Sequence, residues 1–126
     1  MIMPFEFDPP NIVGASVVVP AGLTQKDALF AFYATTFCFP DYFGYNWDAL
    51  FECLLDLQDW HSKEKCFSII HQDIPLASDI NEAMKYIKVL SVVLVEPNSL
   101  IQQVSFRSAD HEIVQSLFCN FGFELV

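Results

Sequence analysis

From Ile12 to Val19 the chain is rich in β-branched residues and is closed off by Pro10 and Pro20, a pattern that predicts a first strand. Ala28, Leu29, Phe32, Tyr33 and Thr36 then recur at helical spacing, so a helix is expected over about 25–37, with Thr24 as its N-cap and Leu23 stapled against Ala28. The stretch from Phe39 to Tyr45 breaks that period, and Asn46 opens a second helix expected to run to about Leu57. A polar stretch, 58–65, leads into a short apolar strand at 66–71. Residues 79–95 satisfy two periods: Ser91 to Val95 suits a strand, whereas Ile80, Ala83, Met84, Ile87, Leu90 and Leu94 repeat every 3.6 residues. The longer pattern is preferred, as one helix that stops before Pro97. Residues 100–107 alternate as a strand with Val104 and Phe106 on one side. Ser108 is then placed to cap a last helix, about 109–119, which Gly122 ends before a terminal strand at 123–126. The order β-α-α-β-α-β-α-β predicts an α/β domain with a small, mainly parallel β-sheet covered on at least one face by helices. With no linker, repeat or low-complexity tract, residues 1–126 read as a single domain.

Composition adds that this pattern belongs to a folding chain. Of its 126 residues 53% are hydrophobic, 13 of them Phe, well outside the composition of disordered acidic proteins. The length is enough for one core without disulfide or metal staples. The four cysteines, Cys38, Cys53, Cys66 and Cys119, have neither CxxC nor zinc spacing. They are expected to be reduced and mostly buried, with a Cys38–Cys53 pair as the alternative. The longest apolar run, 86–95, is interrupted by Lys88 and is too short to cross a bilayer. The first eight residues carry acids where a secretory signal needs a basic segment, so a cytoplasmic protein is expected.

Charge changes the picture more. Sixteen acids stand against six Lys and Arg, a formal net charge of −10, and direct nucleic-acid binding is excluded because it depends on cations neutralising phosphates. A basic partner is favoured instead. Between Asp27 and His61 there is no Lys or Arg, while Asp27, Asp41, Asp48, Glu52, Asp56 and Asp59 are all acidic. In the second helix Asp48, Glu52 and Asp56 are spaced i, i+4, i+8, which confines them to an arc of about 80°. Trp47, Leu50, Phe51, Leu54 and Leu57 form the apolar stripe on the other side. Asp48 complements the helix dipole, but Glu52 and Asp56 lie too late to do so. Their repulsion costs an isolated helix about 0.2 to 0.5 kcal/mol per pair. Folding does not require this row, and beside Tyr42, Phe43 and Tyr45 it has the makings of an interface for a cationic protein. Leu55 falls within the acidic side by helical angle and is a candidate apolar anchor, while Asp41 and Asp59 are rim candidates.

Residues 40–55 run Pro, acid, two aromatics, Gly, any residue, Asn, any residue, Asp-Ala-Leu, aromatic, acid, any residue, Leu-Leu. This stretch resembles the central loop and second helix of the barstar family of intracellular ribonuclease inhibitors. The element order over about 11–107 is also similar to that family's α/β domain, with about 108–126 as an added helix and strand. The resemblance implies that Tyr42, Gly44, Asn46, Trp47, Asp48, Phe51 and Glu52 line a face that plugs the active site of a basic ribonuclease or nuclease toxin domain, as a monomer or in a 1:1 complex. It implies no cofactor, no metal, no membrane and no catalytic residue. Glu52 stands where the family's barnase inhibitor has the shorter Asp, and Leu57 where it has an aromatic. Both departures imply a target whose basic cluster is arranged differently. Independently of the resemblance, Gly44 reads as a turn residue with positive φ, Asn46 as a helix cap, and Trp47 as core by its place on the apolar stripe.

Two other functions compete. An enzyme would need a motif, and HExxH, GxSxG, a glycine-rich phosphate loop and EF-hand spacing are all lacking. His61, His71 and His111 are isolated and read as surface or satisfied core residues. The second alternative is a non-inhibitory module of the same fold that binds another basic partner.

Overall fold

The computed structural model describes residues 3–61 and 65–122. Strands β1 (Glu6–Phe7), β2 (Ala15–Val19), β3 (Phe67–His71) and β4 (Ile101–Phe106) form one sheet in the order β1-β4-β3-β2, and every pairing in it is parallel. Helices α1 (Lys26–Thr36), α2 (Trp47–Leu55), α3 (Ile80–Val95) and α4 (His111–Gly122) complete an α/β fold of the expected class. One face of the sheet, carrying Val17, Val19, Ile69 and Val104, is buried in a single core with Leu29, Leu50, Leu54, Ile87 and Leu90 from the helices.

The opposite face is covered by a short strap. β1 and β2 lie at opposite edges of the sheet, so residues 8–14 have to cross β4 and β3 between them. Two buried polar side chains receive the strap. Ser68 Oγ accepts from Val13 N–H (3.1 Å) and donates to the Val13 carbonyl, and Gln103 Nε2 donates to the Asn11 carbonyl (3.1 Å) and the Glu6 carboxylate (2.5 Å). Polar groups in the middle of a sheet face are tolerable because each finds a partner. Ile12 and Val13 therefore belong to the strap rather than to the first strand. The strand begins after Gly14, which has φ of 71° and whose hypothetical Cβ would collide with the Cys66 carbonyl oxygen. β1, two residues long, shows no period that sequence could reveal.

The second helical segment and the third differ in how far the expected boundaries hold. α3 is one helix throughout, capped by Asp79, whose carboxylate accepts from Glu82 N–H (3.3 Å). α2 ends at Leu55, two residues early, and a 3-10 turn at Leu57–Asp59 carries the chain on. At α1 the N-cap is Gln25, without a side-chain bond, and not Thr24. The Leu23 carbonyl instead accepts from Leu76 N–H (3.0 Å), so a tertiary contact sets the entry to this helix. Ser108 does not cap α4 either. Its N–H and Oγ–H both donate to Asp8 Oδ2 (3.0 and 2.6 Å), which holds the Asp8 carboxyl below its usual range and ties the strap to the segment before α4. α4 runs on to Gly122, and the strand expected at 123–126 lies outside the described residues. Phe5 and Phe118 meet edge to face at 6.1 Å, joining the N-terminal segment to α4.

All four cysteines are free thiols, so the Cys38–Cys53 pair is not formed. The expectation that they are mostly buried is corrected: only Cys53 is buried, and Cys38 is exposed because it takes the left-handed conformation (φ 56°) that ends α1.

Within the core one polar chain crosses from sheet to helices. The Ser105 carbonyl accepts from His71 Nδ1–H (2.9 Å), which leaves Nε2 to accept from the Tyr86 hydroxyl (2.7 Å), and Tyr86 accepts in turn from Tyr33 (2.6 Å). The His71 ring also stacks on Phe106 at 4.1 Å. Burial lowers the His71 pKa to about 4 and raises those of both tyrosines.

Candidate functional site

Asn46 fixes where α2 begins. Its carboxamide oxygen accepts from Ala49 N–H (2.8 Å) while its Nδ2 donates back to the Gly44 carbonyl (3.2 Å). This second bond explains the glycine. A Cβ on Gly44 would press on Asn46 Nδ2 at 3.1 Å, so Gly44 serves a close approach and not the positive φ that sequence suggests. The positive φ falls instead on Tyr45 (51°), an exposed aromatic in a conformation that costs a residue with a side chain about 1 to 2 kcal/mol. Asn46→Ala is expected to remove the cap at a cost of about 1 kcal/mol, read as a lower midpoint in urea unfolding. An unchanged midpoint would show that tertiary packing alone holds the start of α2.

The loop before α2 splits its aromatics. Tyr42 projects with 76% of its surface exposed, whereas Phe43 is turned into the core against Phe30 and Phe39. Phe43 thus supports the loop from below, while Tyr42 and Tyr45 are its exposed faces. Trp47 does two things at once. Its ring meets Phe30 at 4.9 Å and Tyr86 at 6.2 Å, and its indole N–H donates to Glu82 Oε2 at 2.6 Å. That bond, followed by the Lys26 and Lys85 ammonium groups, holds the Glu82 carboxyl below its usual range against the effect of partial burial. The first residue of α2 is thereby fastened to α3, with its edge still facing solvent.

Leu50, Leu54 and Leu57 are fully buried, so the expected apolar stripe is the docking face of α2. Asp48, Glu52 and Asp56 are exposed on its crest, and among the described residues none of the three makes an ion pair. Leu55 lies half-buried on the same crest, as does Phe51 on its α3 side. Asp56 keeps its place in the row although it is already the C-cap.

The crest stands between two depressions. On one side Glu52 and Asp56 border a small cleft of about 80 Å³ with Tyr42, Phe43 and Trp60. On the other, Asp48 and Phe51 border a wider groove of about 700 Å³ against α3, whose wall includes Lys85 and Lys88. Trp60 and the two lysines are not among the residues singled out from sequence. Trp60 had a signal, since it continues the spacing of four set by Asp48, Glu52 and Asp56. Its indole N–H donates to the Phe37 carbonyl (3.0 Å), which His61 also approaches through Nε2 (2.9 Å). The lysines had none, because which helix lies beside α2 is a matter of packing.

The three histidines are far apart in role: His71 is in the core chain, His61 holds a backbone carbonyl and His111 lies against the Phe7 ring. Among the described residues no three His, Cys, Asp or Glu side chains are grouped to hold a metal ion, and no helix is long and apolar enough to cross a membrane. A crest of exposed carboxylates flanked by exposed tyrosines can pair with guanidinium or ammonium groups while the rings supply contact area.

In a comparison with known families, the model described as Barstar (barnase inhibitor) matches residues 16–104. No curated protein and no solved structure matches the chain.

Proposed function

Since the chain belongs to the barstar family, we propose that it binds and blocks the active site of a cognate basic ribonuclease or nuclease toxin domain, using the α2 crest and the loop before it. The observation that carries this reading is the row Asp48, Glu52 and Asp56, exposed and without ion pairs among the described residues, next to exposed Tyr42 and Tyr45. Beyond the helix-dipole contribution of Asp48 and the contact of Tyr45 with Phe43, the fold does not account for this grouping. A ribonuclease active site gathers cations to stabilise charge developing on a phosphate. Carboxylates spaced along a helix place fixed negative charges where successive phosphates would sit, and they need no reorganisation to do so. Phe43, Asn46, Gly44 and Trp47 hold the loop and helix in position, and Leu55, Phe51 and Trp60 offer apolar edges around the charges.

The direct test is RNA cleavage by a panel of purified small basic ribonucleases, barnase included, titrated with the protein. At least one is expected to lose its activity at a 1:1 ratio, with association that slows as salt is raised. Full activity of every member at micromolar protein would overturn the proposal. Binding without loss of cleavage would replace inhibition with the non-inhibitory module.

A further inference from the structure

We infer that the groove between α2 and α3 receives an acidic side chain of the same ribonuclease, carried beside an apolar residue on a loop flanking its cationic active site. This inference rests on the preceding proposal and concerns how the partner is oriented and chosen.

The floor of the groove is apolar, formed by Trp47, Phe51, Val89 and Val92, and its walls carry opposite charge. Asp48 stands on the α2 side, Lys85 and Lys88 on the α3 side. The chain has only six Lys and Arg, and two of them border the wider of the two depressions that adjoin the acidic crest. Lys85 lies 3.6 Å from Glu82, while Lys88 is exposed and makes no ion pair among the described residues.

A uniformly basic surface laid over the crest would meet these two cations and be repelled on the α3 side. The charge pattern instead reads across α2 as positive wall, apolar floor, negative crest, aromatic cleft. A partner satisfies all four bands at once if its cations lie over Glu52 and Asp56 and an Asp or Glu next to them enters the groove. The lysines then do two things: they fix the register of docking, and they reject basic ribonucleases that lack the acid.

Lys88→Glu and the double variant Lys85→Glu with Lys88→Glu test this against whichever ribonuclease of the panel the wild-type protein inhibits. The single change is expected to weaken inhibition about tenfold and the double change about a hundredfold, because each places like charges together in a desolvated contact. Thermal unfolding of Lys88→Glu should match wild type, since Lys88 is exposed and no ion pair among the described residues is lost. Changing the acidic residues around that ribonuclease's active site to Lys, one at a time, should restore inhibition by Lys88→Glu at one position. Equal or tighter inhibition by both variants overturns the inference and leaves the proposed function standing. If the wild-type protein inhibits no ribonuclease, the proposed function has failed and this inference fails with it.

Discussion

Asp48→Lys with Glu52→Lys should abolish inhibition of the cognate ribonuclease and leave the protein folded. Removing one partner of a buried, hydrogen-bonded charge pair at an interface costs about 2 to 5 kcal/mol, and reversing two adds repulsion, so a loss of affinity of at least about a thousandfold is expected. Stability should hardly move. Both carboxylates are exposed and unpaired among the described residues, so no contact is broken. Asp48 in the first turn of α2 gives up a favourable dipole interaction of about 0.3 to 1 kcal/mol. Positions 48 and 52 still carry like charges in this variant, so only the repulsion between Glu52 and Asp56 is relieved, which returns about 0.2 to 0.5 kcal/mol. The balance is a small net loss of about 1 kcal/mol, and the unfolding midpoint should stay within about 5 °C of wild type. Inhibition retained by this variant at stoichiometric concentrations would remove the crest from the interface and with it the case for phosphate mimicry.

The second large effect is on stability at acid pH, and it comes from His71. Its Nε2 accepts from Tyr86 and its Nδ1–H donates to the Ser105 carbonyl, so both nitrogens are committed in the neutral form. A proton on Nε2 would force the Tyr86 and Tyr33 hydroxyls to turn round and would place a charge where nothing solvates it. The folded-state pKa of about 4 lies below the ordinary value of 6.5. The unfolded chain therefore takes up the proton first as pH falls. Above about pH 6.5 the neutral ring costs nothing; between 6.5 and 4 the unfolded state gains, and stability is lost. The total is about 3 kcal/mol, of which about 2 is gone by pH 5. Asp8 and Glu82, whose carboxyls are held low, lose their share only through the carboxylate range and below, so the interval from pH 7 to pH 5 isolates the histidine. Urea unfolding of wild type and His71→Gln at both pH values should show the wild type losing about 2 kcal/mol more than the variant. Equal losses would mean that the ring is already reached by solvent or protonated in the folded state.

Taken together, the core and the crest assign charge in opposite ways. In the core, one histidine and two tyrosines are kept neutral and fully bonded. On the crest, three carboxylates are left exposed without ion pairs among the described residues, at a small cost in helix stability. A helix that gave its acids lysine partners at i+4 would be more stable and would have nothing to offer a basic protein.

By itself the sequence determined what depends on period and on local chemistry. Alternating apolar segments and helical spacing set the α/β class, the single long helix at 80–95 and the buried stripe of α2, because one face of each element has to leave water wherever the others lie. The same spacing put Asp48, Glu52 and Asp56 on one crest, and the motif at 40–55 identified the family that the match over 16–104 establishes. Only the tertiary structure decided the rest. It made a two-residue strand of Glu6 and Phe7 by pairing it with β4, turned Ile12 and Val13 into a strap, and took Phe43 into the core while leaving Tyr42 and Tyr45 outside. It also laid α3 beside α2, which brings Lys85 and Lys88 within one groove of Asp48 across about forty residues of chain. Period states which face of an element is buried, but the neighbour that buries it is chosen by packing the whole chain at once.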